Sequence, residues 1–215
     1  MNTSSETLKT SIIDNGIQGL RESFAPDTRL DYRFLPVTQP FEPDLSDTDL
    51  LIVPNGSDHL AMLEAKPRVQ QLLDRGGALF CFDGWFTDWV PGNRWVMDNS
   101  RATRDIRYRV GDDPTGLMRD LDIDEFTFNH GISGWWSCGY IEAAPGAWVL
   151  LEDTWGRPIL VLDRASTNGT VFLSASGPLP LGRDPEYALN RLYCRAIDLV
   201  LFERQVQASD SHPRT

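Results

Sequence analysis

Apolar and polar positions along this chain follow two periods, and their alternation predicts its architecture. "LKTSIIDNG" (8–16) is a strand ending in Asp14, Asn15 and Gly16, and "IQGLRESF" (17–24) follows with the spacing of a short amphipathic helix. "LDYRFLPV" (30–37) alternates like a second strand. After an acidic, proline-containing loop, "DLLIVPNG" (49–56) is a continuous apolar run stopped by Pro54, Asn55 and Gly56, as suits a central parallel strand. "SDHLAMLEAKPRVQQLLDRGG" (57–77) opens on the cap-competent Ser57 and Asp58 and closes on a glycine pair in C-cap positions. Pro67 divides it, which predicts two short helices rather than one. "GALFCFD" (77–83) returns as another buried strand. The order β-α-β-β-α-β over the first 83 residues is that of a doubly wound sheet.

From Gly84 to about Asn129 the pattern is irregular, with a strand expected at "IRYRV" (106–110), and reads as an insertion or lid over one sheet edge. Three further runs, "AWVLLED", "RPILVLD" and "GTVFLSAS", are joined by short turns and predict a C-terminal antiparallel meander. A last helix, "DPEYALNRLYCRAIDLVLF", precedes a polar tail. The expectation is one α/β domain over 1–204, flavodoxin-like with a mostly parallel sheet, and a disordered tail over 205–215.

Charge narrows the partners. A net charge of -11 over 215 residues repels nucleic acid and anionic membrane, so neither is expected. The basic group Arg94, Arg101, Arg104, Arg107 and Arg109 reads as a solvated face that offsets nearby acids. Three cysteines, Cys81, Cys138 and Cys194, carry no CxxC or other metal-like spacing, so neither a disulfide framework nor a metal site is expected. The polar start has no apolar core of a signal peptide, and no apolar run reaches membrane-spanning length. A cytoplasmic protein without a cofactor is the expectation.

Four blocks then carry a family resemblance: "DLLIVPNG", "LLDRGGALFCFD", "GLMRDLDIDEFTFNHGISGW" and "WGRPILVLDRASTNGTVFLSASG", together covering roughly residues 48 to 177. In order and spacing they resemble the class I glutamine amidotransferase-like superfamily, most closely its ThuA-like branches. The resemblance implies that the strand after the glycine pair delivers a residue to a nucleophile elbow. It also implies a tie to carbohydrate utilisation. The catalytic residues do not match. An elbow needs small residues two positions to either side, and Cys81 has Leu79 and Asp83 there. The family's His-x-Glu is absent, since His59 precedes Leu60-Ala61, His130 precedes Gly131-Ile132, and His212 lies in the tail. Cys81 therefore reads as a core residue and the elbow position falls on Asp83.

Ligand crevices of open α/β sheets lie at the carboxyl ends of the strands, which singles out the residues that follow them. Asp83 and His130 are the candidate acid-base pair. Candidate ligand contacts are Asp14, Asn15, Asn55, Ser57, Asp58 and Asn129, with Trp85, Trp135 and Trp136 as flat stacking surfaces. Backbone amides after Gly56 are a candidate anion cradle. Two functions remain open: a non-amidotransferase ligand-binding or regulatory member of the superfamily, or a hydrolase or sugar-converting enzyme using Asp83 and His130. A small molecule, a sugar among the candidates, is the expected ligand, and a homo-oligomer is compatible with either.

Overall fold

A computed structural model of the chain describes residues 7–82, 84–128, 137–177 and 187–210. The strands are β1 (Leu8–Asp14), β2 (Leu30–Pro36), β3 (Leu50–Val53), β4 (Ala78–Phe82), β5 (Arg94–Met97), β6 (Tyr108–Val110), β7 (Gly139–Glu142), β8 (Trp148–Asp153), β9 (Pro158–Asp163) and β10 (Thr170–Ser174). The helices are α1 (Leu20–Ser23), α2 (His59–Asp74), α3 (Asp124–Phe128) and α4 (Ala188–Asp210).

Eight strands form one sheet in the order β2-β1-β3-β4-β10-β9-β8-β6. The first five are mutually parallel, and β10-β9-β8 is the antiparallel meander the turn chemistry predicted. Strand β6 extends it at the edge, pairing antiparallel with β8. All residues of β3, β4 and β10 are buried, the pattern of strands covered on both faces. Side chains of β4 alternate between those faces. Phe80 meets Tyr193 of α4 edge to face at 6.0 Å, while Cys81 lies beside Met62 of α2. The two long helices thus cover opposite faces of a flavodoxin-like α/β sheet.

Helix α2 is continuous through Pro67, contrary to the two helices expected. Proline in a helix interior costs about 3 kcal/mol, while burying a large apolar side chain contributes about 1.5–3 kcal/mol each. Met62, Val69, Leu72 and Leu73 all bury on the sheet face of α2, so packing wins. Pro67 and Leu63, whose carbonyl the ring deprives of its partner, are both exposed. The helix ends as the glycine pair predicted. Gly76 has φ 84°, its N–H donates to Leu73 O at 3.0 Å, and Gly77 N–H donates to Leu72 O at 2.9 Å. Helix α4 continues to Asp210, past the point at which the polar tail was expected to begin.

The irregular middle of the chain holds a second sheet, the ribbon β5-β7, in which Trp95 pairs with Ile141 and Met97 with Gly139. Both its ends are clamped to the meander. Asn93 donates to Asp163 at 2.7 Å and accepts from Ala144 N–H at 2.9 Å, while Arg157 bridges Asp98 at 2.5 Å and Asp153 at 2.7 Å. The buried Asp163 also accepts from Ala165 and Ser166 amides, so this carboxylate is spent on a turn. The arginine group behaves as a solvated face: Arg94 pairs with Glu142 and Arg109 with Glu152, all on the surface or partly so.

Candidate functional site

The chain leaves β1 outward to β2 and returns to β3 on the other side of β1, so the sheet's switch point lies between β1 and β3. At such a point the loops diverge and open a crevice. A cleft of about 740 Å³ lies there, built from the ends of β1 and β3, the start of α2, the loop after β4, and the ribbon strand β5. The structure brings Asn15, Asn55, Ser57 and Asp58 together in its wall, and adds His59, Phe86, Trp95 and Met97.

Local chemistry holds each of these groups. Asn15 donates its carboxamide to Asn55 O at 2.7 Å and accepts from Ile17 N–H at 3.2 Å, which joins the two strand ends. Ser57 donates to Pro54 O at 2.7 Å. Asp58 is the N-cap of α2, its Oδ1 accepting from Leu60 and Ala61 amides at 2.9 and 3.0 Å. The expected anion cradle is therefore filled by the chain's own carboxylate. Asp14 is not among the cleft residues. It is held by Arg21 through Nη2 at 2.6 Å and Nε at 3.0 Å, and this guanidinium, with the Gly16 amide, keeps its carboxyl below the usual carboxylate range.

The loop after β4 differs from a nucleophile elbow. An elbow is a strand-turn-helix unit, the helix N-terminus supplying amides to the developing charge. Here Gly84 turns at φ 68° and no helix begins between 84 and 93. The loop instead lies along α2, with Thr87 Oγ1 donating to His59 O at 2.7 Å. Trp85 and Trp89 are buried at 4% and 1% exposure, with Cys81 beneath them at 1%. Cys81 is a core residue, as its sequence setting indicated. Trp85 is corrected from a stacking surface to a buried one, because its ring faces are taken by the core.

The exposed aromatic of this loop is Phe86, at 57%, which is not among the residues the sequence pattern singles out. Its ring stands edge to face against His59 at 5.2 Å and Trp95 at 5.0 Å. With Ile17, Leu60 and Met97, each at least half exposed, it gives the crevice region an apolar rim around a polar floor. Adjacent tryptophan and phenylalanine in "GWF" signal that one of the two must face away from the core, without saying which. Trp95 and Met97 share a face by strand alternation, a signal legible only once "RWVM" is recognised as a strand.

Asp83, Asn129, His130, Trp135 and Trp136 lie outside the described residues. Among the described residues no cluster of three His, Cys, Asp or Glu side chains could hold a metal, and no helix is long and apolar enough to cross a membrane.

No protein-family model and no curated protein matches the chain in sequence. Solved structures do match in fold. A cytoplasmic protein from Salmonella typhimurium superposes with a TM-score of 0.60 at 12% identity, over 89% of this chain and 98% of its own. A ThuA-like protein from Parabacteroides merdae gives 0.55 at 12%, over 91% and 90%. A glutamine amidotransferase from Thermotoga maritima gives 0.55 at 8%, over 94% and 99%. The fold is that of the class I glutamine amidotransferase-like and ThuA-like proteins.

Proposed function

Taking that shared fold as premise, we propose that the protein is a ligand-binding member of the superfamily that does not hydrolyse glutamine, and that its switch-point cleft holds a small neutral ligand of the carbohydrate class. The observation that carries this reading is the loop after β4. It borders the crevice while burying Trp85 and Trp89 in the core, and no helix begins between 84 and 93 to complete the strand-turn-helix that presents a nucleophile. An exposed Phe86 face beside carboxamides and a hydroxyl is the combination that recognises sugar rings, which offer apolar C–H faces and peripheral hydroxyls. A cytoplasmic setting belongs to the same reading.

The test is a thermal-shift panel of neutral sugars, amino acids and divalent cations on the wild type, Asp83→Asn and Phe86→Ala, run beside a glutamine-hydrolysis assay. A sugar should raise the wild-type melting temperature in proportion to its occupancy, and Phe86→Ala should lose that rise. Glutamine hydrolysis abolished by Cys81→Ala would overturn the reading, as would the absence of any sugar-dependent shift.

A further inference from the structure

The polar side chains along the cleft differ in how much of their hydrogen-bonding capacity the fold already uses. Asn15 donates a carboxamide N–H to Asn55 O at 2.7 Å and accepts from the Ile17 amide at 3.2 Å. Ser57 donates its one O–H to Pro54 O at 2.7 Å, and Asp58 caps α2 through Oδ1. Asn55 and His59 are different. Both line the cleft, their backbone carbonyls accept from Asn15 and Thr87, and among the described residues neither side chain makes a hydrogen bond. Nor are their polar atoms buried: the buried side-chain nitrogens and oxygens left without a partner belong to other residues, such as Trp85 and Trp95. A half-buried residue whose polar atoms are neither bonded nor buried presents them to open space, and the open space that Asn55 and His59 both border is the cleft. The His59 ring is also held in place. Phe86 stands edge to face against it at 5.2 Å, and Thr87 Oγ1 donates to the His59 carbonyl at 2.7 Å, so little side-chain freedom remains to be lost on binding.

We infer that Asn55 and His59 are the specificity-determining residues of the cleft, each bonding a hydroxyl group of a neutral polyol whose apolar face rests on Phe86. The inference rests on the cleft being the ligand site and adds which side chains bond the ligand and which of its groups they bond. A carboxamide and an uncharged imidazole each carry donor and acceptor, and so does a hydroxyl, so either side chain can give or take a hydrogen bond with one. Charged ligands fit less well. No lysine or arginine is among the described residues lining the cleft, and the Asp58 carboxylate at its edge opposes an anion. An ammonium group would meet that one carboxylate, which is solvent-exposed and committed to the helix cap.

The experiment titrates the full chain, labelled with nitrogen-15, with glucose, galactose and mannose, and with the monodeoxy forms of each hexose that binds. His59→Phe keeps a ring against Phe86, and Asn55→Leu keeps the shape of the carboxamide. A hexose that binds should move the Asn55 carboxamide and His59 imidazole resonances of the wild type. Each variant should weaken that hexose by roughly three- to tenfold, the loss of one net hydrogen bond, and His59→Gln, which keeps a donor and an acceptor, should weaken it less than His59→Phe. For each variant one deoxy form should bind as well as the parent hexose, because the missing side chain and the missing hydroxyl are the two halves of one bond. If a hexose binds and moves Phe86 while both polar side chains stay unmoved and both variants bind it at wild-type strength, the assignment is wrong and the cleft reading survives. If none of the three hexoses binds, the cleft reading fails and the assignment falls with it. Acetate, phosphate or ethanolamine binding at these two side chains more tightly than any hexose would overturn the neutral class. The wild-type resonances and the deoxy series carry these outcomes should either variant fail to fold.

Discussion

Strands β3 and β4 are parallel neighbours with near-identical burial, yet their carboxyl ends do opposite things. After β3 the chain spends five residues, Pro54 to Asp58, on a turn and a cap and enters a 16-residue helix. After β4 it turns at Gly84 and lays two tryptophans into the core without starting a helix. The first end resembles what ligand sites in doubly wound folds are made of, a strand, a polar turn and a helix start. The second end starts no helix between 84 and 93, and its two tryptophans are packed into the core. One sheet can therefore carry a helix start at one strand end and a packed loop at the next, because the crevice follows from strand order and the loop from one turn.

The difference can be attacked from both ends. Trp89→Ala should be the largest perturbation, lowering unfolding free energy by about 3–5 kcal/mol in urea denaturation, since it empties a fully buried site. A loss under about 1 kcal/mol would mean that the β4 loop is not core after all. On the other side, Pro67→Ala should stabilise α2 by about 1–3 kcal/mol, restoring a helix hydrogen bond on an exposed face, part of the gain being offset by a more flexible unfolded chain. No gain would indicate that the helix is already broken there. Asp58→Ala should cost about 1 kcal/mol through the lost cap, and Asp58→Asn much less, because a carboxamide oxygen also accepts from the first-turn amides. Equal losses from both would instead point to the charge.

The smallest effect concerns acid. The Asp14 carboxyl is depressed in the folded state by Arg21, so its contribution to stability is complete above its ordinary pKa of 3.8 and is lost as pH falls below that. Arg21→Ala should leave stability between pH 5 and 7 nearly unchanged in slope and flatten the fall below pH 4. An unchanged acid limb would remove Arg21 as the cause.

Much of this was legible before any coordinates. The glycine pair Gly76-Gly77 announced a helix end and the following strand, because only residues tolerant of positive φ close a helix that way. Short turns between "AWVLLED", "RPILVLD" and "GTVFLSAS" left little but a meander, and Cys81 between Phe80 and Phe82 read as core. The ribbon β5-β7 was not legible. Its strands are four residues each and stand more than 40 residues apart, so nothing local specifies their pairing. Pro67 misled for the opposite reason: a strong local signal lost to the burial of four large side chains on the other side of the same helix.

The site divides in the same way. Strand ends, turn residues and the cap at Asp58 are short-range matters of backbone geometry and hydrogen bonding, and the amino-acid order alone determined them. Which aromatic of Trp85-Phe86 faces the crevice, and that Trp95 and Met97 arrive there from a distant ribbon, depend on contacts between segments far apart in the chain. Those were decided only by tertiary packing, where the shape of the space to be filled selects among side chains whose composition and spacing look alike.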